Sequence, residues 1–328
     1  MTKRVLVTQP IPEAGLCVLD GFDVAWNRGR RLEPHELREK ATGRHGILCL
    51  LTDTIDHTIL SLPGLVAVST VSVGYDHIDV AAAARHGVTI THTPGILTET
   101  TADFAWALLM AVARRVVEGD RYVREGRFQN WEPLLLLGGD VHGKCLGIVG
   151  MGRIGQAMAR RAHGFGMQVI YCDPGQEQPL LGCQAVTLGE LLTRADFVSL
   201  HVPLTEHTHH LIGPRELAMM KPTAYLVNTS RGPVVDEAAL VQALANGTIA
   251  GAGLDVFERE PNLEPGLAGL DNVVLAPHIA SASRETREKM AVMAAENLKA
   301  ALEGRVPPNR VDFSGCRAPS KSDESQAK

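Results

Sequence analysis

Three glycines at fixed offsets, Gly150, Gly152 and Gly155, follow the apolar run that starts at Cys145 and precede a helical pattern opening at Arg153 and Ile154. A G-x-G-x-x-G placed between a strand and a helix restricts the fold more than any other stretch of this chain. Gly150 permits a tight turn, and Gly152 lets a pyrophosphate approach backbone N–H groups. Gly155 lets the helix lie close on the strand, with its positive dipole end facing the phosphates. Glycine-rich turns are common, so the motif alone is weak evidence. Here both flanks are correct, and the next apolar run, Gln168–Asp173, ends in an acid at the expected distance. Together these features predict a dinucleotide site. Asp173 can accept hydrogen bonds from the adenine ribose hydroxyls and would repel a 2′-phosphate. Pro174, Gly175 and Gln176 bring no cation to bind such a phosphate. NAD is therefore expected rather than NADP.

The remainder of the chain alternates short β-branched runs with helical patterns, the signature of βαβ units and parallel sheets. The first stretch predicts strands near Arg4–Thr8, Asp23–Trp26, Gly46–Leu50, Leu65–Ser69 and Val88–Thr91, with helices such as Pro34–Ala41 and Val80–His86 between them. A long, largely apolar helix is expected over Thr98–Glu118, capped by Thr100 and buried between two units. A second alternation predicts strands at Cys145–Gly150, Gln168–Asp173, Phe197–His201, Ala224–Thr229, Ala250–Val256 and Val273–Ala276. Six strands at this spacing suit a doubly wound dinucleotide fold. A last helix, about Arg284–Glu303, has no strand of its own to pack beneath and is expected to cross back to the first unit. The expected fold is α/β with two doubly wound parallel-sheet domains. The substrate domain, 1–98 plus 287–313, is discontinuous around a dinucleotide domain at 99–286. The polar tail 314–328 is expected to be disordered.

A length of 328 residues agrees with two domains. The formal net charge of −5, with no long basic run, excludes an electrostatic footprint for nucleic acid or anionic membrane. Six cysteines occur singly with no C-x-x-C spacing, and Cys49, Cys145 and Cys172 sit in strand-like runs. Reduced core cysteines are expected, with neither disulfide nor metal ligation. The apolar run after the basic start Met1-Thr-Lys-Arg4 is too short for a signal peptide. The longest apolar stretch, Phe104–Ala113, is about half of what a membrane helix needs. A cytoplasmic protein is expected.

Ligands of open α/β sheets bind beyond the carboxyl ends of the strands. Three polar side chains follow three predicted strands there: Arg231, Glu260 and His278. Taken singly, Arg231 before Gly232 could be a turn residue, Glu260 among Glu258, Arg259 and Pro261 a solvated charge, and His278 after Pro277 a simple cap. Taken jointly on a dinucleotide domain, they match hydride delivery to a 2-oxo acid. Arg can hold the substrate carboxylate and carbonyl oxygen without losing its charge. His has a suitable pKa to protonate the developing alkoxide. A carboxylate beside that His orients the ring and stabilises its cation.

The segments Gly150–Gly155, Asn228-Thr-Ser-Arg-Gly232, Gly253-Leu-Asp-Val-Phe-Glu-Arg-Glu-Pro261 and Pro277-His-Ile-Ala-Ser-Ala-Ser283 resemble the D-isomer-specific 2-hydroxyacid dehydrogenase family, in matching order over about residues 1–312. Within it, Val73-Gly-Tyr-Asp-His-Ile-Asp79, Thr93-Pro-Gly-Ile-Leu-Thr98 and Ser283-Arg-Glu-Thr-Arg287 look most like glyoxylate/hydroxypyruvate reductases. The resemblance implies a Rossmann NAD domain inserted into a flavodoxin-like substrate domain, an active site between them, and a homodimer formed largely through the cofactor domains. It implies NAD(H)-dependent reduction of small 2-oxo acids, glyoxylate and hydroxypyruvate first, to D-2-hydroxy acids. Arg231, Glu260 and His278 match the family's catalytic trio. Val73 and Gly74 match the loop that holds the substrate carboxylate, and Leu51 a residue of the substrate pocket. Thr101 matches a residue near the nicotinamide, and Asp255 the acid that bonds its carboxamide. Arg153, Ile154, Asp173, Val202, Pro203, Thr208 and Thr229 match further cofactor contacts. Ala280 stands where the family usually has glycine, which would crowd the pocket slightly.

Related readings differ at single positions. Phosphite dehydrogenases look similar around Phe128–Trp131 but carry lysine where Val73 stands, and formate dehydrogenases pair His with Gln where Glu260 stands. D-3-phosphoglycerate-type acids fit the Arg–His chemistry, although no basic pocket for a phosphate is visible. Corepressors that share the fold and sense NAD keep the catalytic residues, but they add long disordered extensions that this chain lacks. Leu50, Leu51, Val73 and Trp131 point to a small, partly apolar pocket. Trp131 reads either as a core aromatic or as a residue reaching the partner subunit's site.

Overall fold

Runs such as Val5–Val7 and Ile47–Cys49 are apolar at every position, the pattern of parallel strands covered on both faces. The computed structural model describes residues 2–176 and 182–313 and divides the chain into two units. One comprises the chain up to Leu97 together with the segment from Ser283, and the other spans Thr98–Ala282. The expectations for the tail 314–328, and for Cys316 within it, lie outside the described residues.

The first unit holds β1 (Arg4–Val7), β2 (Asp23–Trp26), β3 (Gly46–Cys49), β4 (Ala67–Thr70) and β5 (Thr89–Thr91) in one parallel sheet of order β2-β1-β3-β4-β5. This is the flavodoxin-like doubly wound order. β4 begins two residues later than the apolar pattern predicts, because Leu65 N–H still closes a turn onto Leu62 O. The helices Pro34–Ala41 and Val80–His86 form where expected. Pro34 starts the first, and the second has Asp79 as its N-cap and ends at Gly87 with φ 69°.

The helix Arg284–Leu302 packs on β3, β4, β5 and the helix Glu13–Val18. Small residues allow this approach. A Cβ on Gly15 would lie 2.8 Å from Ala291 Cβ and 2.9 Å from its backbone, and one on Gly46 would meet Leu298 and Leu302 at 3.0 Å. Buried polar groups set its register. Ser69 Oγ donates to Ala294 O at 2.7 Å, and the fully buried Asn297 donates to His92 O at 3.1 Å.

The second unit holds β6 (Cys145–Val149), β7 (Gln168–Cys172), β8 (Gln184–Ala185), β9 (Phe197–Leu200), β10 (Tyr225–Asn228), β11 (Gly251–Leu254) and β12 (Val273–Leu275), in the order β12-β11-β10-β9-β6-β7-β8. The sheet is parallel throughout, and its chain order reverses between β9 and β6, the Rossmann arrangement. It has one strand more than the six expected. β8 is only two residues long, below the length at which alternation is readable.

The long helix also departs from expectation. It runs Thr98–Ala113, so Thr100 lies inside it rather than capping it. It packs on β10, β11 and β12, where Gly253 leaves room for Leu108 and Gly251 for Val112. Arg115 then takes φ 52°, and a separate helix follows at Val116–Arg124. The reason is tertiary. Gly139 N–H donates to Ala113 O at 2.9 Å, and a Cβ on Gly138 would lie 2.2 Å from that oxygen. A returning segment thus covers the helix end. The described cysteines are free thiols; Cys49, Cys145 and Cys183 are buried, whereas Cys17 is exposed.

Gly15→Ala is expected to destabilise the first unit by about 1–3 kcal/mol through overpacking, outweighing a helix-propensity gain of about 1 kcal/mol. Urea denaturation reads the change; an unaltered midpoint would show that the two helices separate without cost.

Candidate active site

The glycine turn takes the form that its spacing predicts. Gly150 has φ 94°, and a Cβ there would lie 2.7 Å from His201 O. A Cβ on Gly155 would fall 2.1 Å from Gly150 O, so the helix Arg153–Gly164 can lie this close only with glycine at 155. A Cβ on Gly152, the N-cap, would meet nothing within 4 Å, and no side chain among the described residues caps that helix start. Arg153 is exposed and Ile154 half-buried at its first positions. Asp173, just beyond β7, accepts Met151 N–H on Oδ2 at 2.7 Å and Gly175 N–H on Oδ1 at 2.8 Å. Its carboxylate is thus fixed at the rim of the glycine turn.

Three of the other residues expected at a cofactor, Val202, Pro203 and Thr229, lie along the same sheet edge. Val202 and Pro203 follow β9, and Thr208 Oγ donates to Pro203 O at 2.6 Å, shaping that loop. Thr229 follows β10, and its hydroxyl is buried without a hydrogen-bond partner among the described residues. Thr101 is buried in the helix Thr98–Ala113. A buried orphan hydroxyl is costly unless something bonds it. An open glycine turn, an uncapped helix start, a fixed acid and that hydroxyl on one sheet edge fit a dinucleotide.

Arg231, Glu260 and His278 come together after β10, β11 and β12. Asn228, 1% exposed, shapes the first turn: it donates to Arg231 O at 2.9 Å and accepts Ser230 N–H at 3.0 Å. A Cβ on Gly232 would stand 1.9 Å from the Phe257 carbonyl, so the backbone beside Arg231 lies directly on the loop that bears Glu260. Glu260 accepts Phe257 N–H on Oε1 at 3.1 Å, and Oε2 meets His278 Nδ1 at 2.9 Å. Burial alone would push the Glu260 carboxyl up. The bond to His278, its charge, the Phe257 N–H and the Arg231 charge outweigh burial and hold it below its usual range.

His278 has φ 56°, a left-handed conformation that any residue with a Cβ adopts at a cost. Asp255 maintains it. This fully buried acid accepts Ile279 N–H and Ala280 N–H at 2.7 Å each, and its carbonyl accepts His278 N–H at 2.8 Å. Burial nonetheless pushes its carboxyl up. Within the chain, both Asp255 carboxylate oxygens are therefore engaged by the turn that carries His278. Ala280 is itself 5% exposed.

The substrate residues expected in the first unit also follow strand ends. Leu51 lies beyond β3 in a loop pinned by Asp53, which accepts Leu50 N–H at 2.8 Å and Gln9 Nε2 at 2.9 Å. Val73 and Gly74 lie beyond β4. His92 Nδ1 donates to Val73 O at 2.8 Å, and Ser72 Oγ to Gly74 O at 2.7 Å. Their own N–H groups make no hydrogen bond among the described residues, as an anion-binding turn requires. Asp53 escaped the sequence reading, since an acid in a loop carries no periodic signal, and Asn228 enters it only as part of a motif, without its role in shaping the turn. Trp131 is 81% exposed, so it is not a core aromatic of its own chain.

Residues 106–280 match the family model described as D-isomer specific 2-hydroxyacid dehydrogenase, NAD binding domain. The chain is 54% identical over 321 residues to a glyoxylate reductase of Korarchaeum cryptofilum, covering 95% of this chain and 96% of that protein. Among solved structures it resembles the TT0316 protein from Thermus thermophilus, with TM-score 0.90, 50% identity, and coverage of 94% of this chain and 100% of that one. It also resembles an NADPH-dependent glyoxylate/hydroxypyruvate reductase from Sinorhizobium meliloti, solved with NADP and malonate. There the TM-score is 0.85 and the identity 34%, covering 97% of this chain and 99% of that one.

His201, whose carbonyl backs Gly150, gives this edge a pH dependence. Burial pushes its ring down to about 4 from 6.5, and Nε2 pairs with Ser199 Oγ at 2.8 Å. Below pH 6.5 the unfolded chain takes up a proton that the fold refuses. The contribution to stability is full above 6.5 and is lost as pH falls toward about 4. His201→Asn is expected to flatten this loss, measured as Tm across that range. Equal slopes for variant and parent would assign the loss to other groups.

Proposed function

Because the chain belongs to the D-isomer specific 2-hydroxyacid dehydrogenase family, whose members are oxidoreductases, we propose that it reduces glyoxylate, hydroxypyruvate and similar small 2-oxo acids to D-2-hydroxy acids with NADH. The observation that carries the reading is the bond between His278 Nδ1 and Glu260 beside Arg231, at the carboxyl ends of adjacent parallel strands.

Gly150, Gly152, Arg153, Ile154, Gly155, Asp173, Val202, Pro203, Thr208, Thr229, Asp255 and Thr101 would hold the dinucleotide. When bound, it supplies the hydride that the carbonyl carbon receives. The chain supplies the rest. Arg231 binds the substrate carboxylate and polarises the carbonyl oxygen. Leu51 borders the substrate, and the N–H groups of Val73 and Gly74 hold its carboxylate. Glu260 engages Nδ1 of His278, which leaves Nε2 to deliver a proton to the alkoxide oxygen as it forms. The carboxylate also stabilises the imidazolium from which that proton comes. For the cofactor, the fixed carboxylate of Asp173 opposes a 2′-phosphate and supports NADH over NADPH.

The exposed apolar residues Val116, Val123, Phe128, Trp131, Leu134 and Leu137 all fall within the single segment 116–137, a concentration unusual for a monomer. They support a homodimer made through the second unit. Sedimentation is expected to show a dimer that Trp131→Asp weakens. A monomeric parent protein would remove this reading.

The decisive measurement of function is kcat/KM over a panel of 2-oxo acids, run with NADH and NADPH in parallel. Turnover of glyoxylate with a preference for NADH is expected, and absence of turnover with every acid would leave only a binding function. Arg231→Ala should lower kcat/KM roughly 100-fold or more while NADH affinity is retained. Loss of NADH binding instead would make Arg231 structural.

A further inference from the structure

Glu237 opens the helix Glu237–Ala245 and is 2% exposed, a rare place for a carboxyl. It is not needed to cap that helix, because Asp236 already accepts Ala239 N–H at 2.9 Å. Its partners lie on the loop that bears Glu260. Glu237 Oε1 accepts Glu258 N–H at 2.9 Å, and Glu258 Oε2 in turn accepts Glu237 N–H at 3.3 Å. One buried carboxylate thus engages the loop two residues before Glu260. The same loop lies against Gly232, next to Arg231.

We propose that Glu237 is a positioning residue: through its reciprocal bonds with Glu258 it sets Glu260 against His278 and beside Arg231. This rests on the reading of those three residues as catalytic. The clasp lies entirely within the second unit and includes none of the residues read above as binding substrate or dinucleotide. The charged and titratable groups around it are Asp236 on its own element, Glu258 and Glu264 on the loop, and the side chains of His210 and Arg259. His210 Nε2 meets Glu258 Oε1 at 3.1 Å, and Arg259 lies 3.9 Å from Glu264. Burial raises the Glu237 carboxyl, the Glu258 N–H opposes this, and the Glu258 charge raises it again. An apolar residue would leave the Glu258 N–H unpaired and the loop free to shift. A shift of about 1 Å at a catalytic group is enough to reduce turnover strongly.

The test compares Glu237→Ala and Glu237→Gln with the parent full-length chain. The readouts are kcat and KM for glyoxylate, NADH affinity by fluorescence, Tm, and the ring titration of His278 by NMR, assigned with His278→Asn. Glu237→Ala is expected to lower kcat about tenfold with NADH affinity retained, and to move the His278 titration to lower pH as Glu260 drifts from the ring. Glu237→Gln keeps one acceptor oxygen and should recover part of both effects. A fall in Tm with kcat and the His278 titration unchanged would overturn the proposal and make Glu237 merely structural. If Glu237→Ala does not fold, Glu237→Gln alone carries the comparison, and an unmoved His278 titration in it overturns the proposal. If the parent turns over no 2-oxo acid, the functional reading fails separately. The His278 titration then decides the clasp: a shift supports it, and none overturns it.

Discussion

A buried carboxylate holding a left-handed turn is the constraint on which the candidate site depends. His278 meets Glu260 with its backbone at φ 56°, a conformation that costs free energy for a residue with a Cβ and needs support from its surroundings. Asp255 supplies the restraint through two short bonds to Ile279 and Ala280 N–H groups and through its own carbonyl. Because Asp255 is fully buried just after β11, its position is set by the sheet itself. The candidate acid–base pair is therefore registered to the core through the turn that carries His278. Charge placement follows the same logic: Glu260 is held below its usual range by its bond to the His278 ring, while Asp255 is pushed up by burial.

Parallel strands explain why these groups meet. In such a sheet every strand delivers its following loop to the same edge, so residues far apart in sequence share one rim. Gly150, Asp173, Val202, Thr229, Arg231, Asp255 and His278 all lie just past strand ends of the seven-stranded sheet. Glycines then remove the remaining separation. Gly155 lets a helix touch the Gly150 carbonyl, and Gly232 lets the Arg231 turn lie on the Phe257 backbone.

Much of this was legible from residues in order. The glycine spacing, the acid ending β7 and the strand–helix alternation need only local rules, and the helices Pro34–Ala41 and Val80–His86 carry both their start and stop signals in sequence. The trio was legible because each member follows an apolar run. Other features were not. The helix expected over Thr98–Glu118 breaks at Arg115 because Gly138 and Gly139 return across its end, a contact between segments more than 20 residues apart in the chain. β8 is too short to show a period. Glu237 reads as an ordinary acid in a first helical turn, and nothing local shows that it is buried.

The sequence by itself determined the fold class, the dinucleotide turn and the identity of the candidate acid–base pair. These depend on periodicity, glycine offsets and residue chemistry, which are properties of short segments. Only the tertiary structure decided which carboxylates act on what: Glu260 on the His278 ring, Asp255 on the turn beneath it, and Glu237 on the loop between. All three are acids near strand or helix ends, alike in sequence. Burial and the N–H groups brought to them by distant segments separate their roles, and those are set by packing alone.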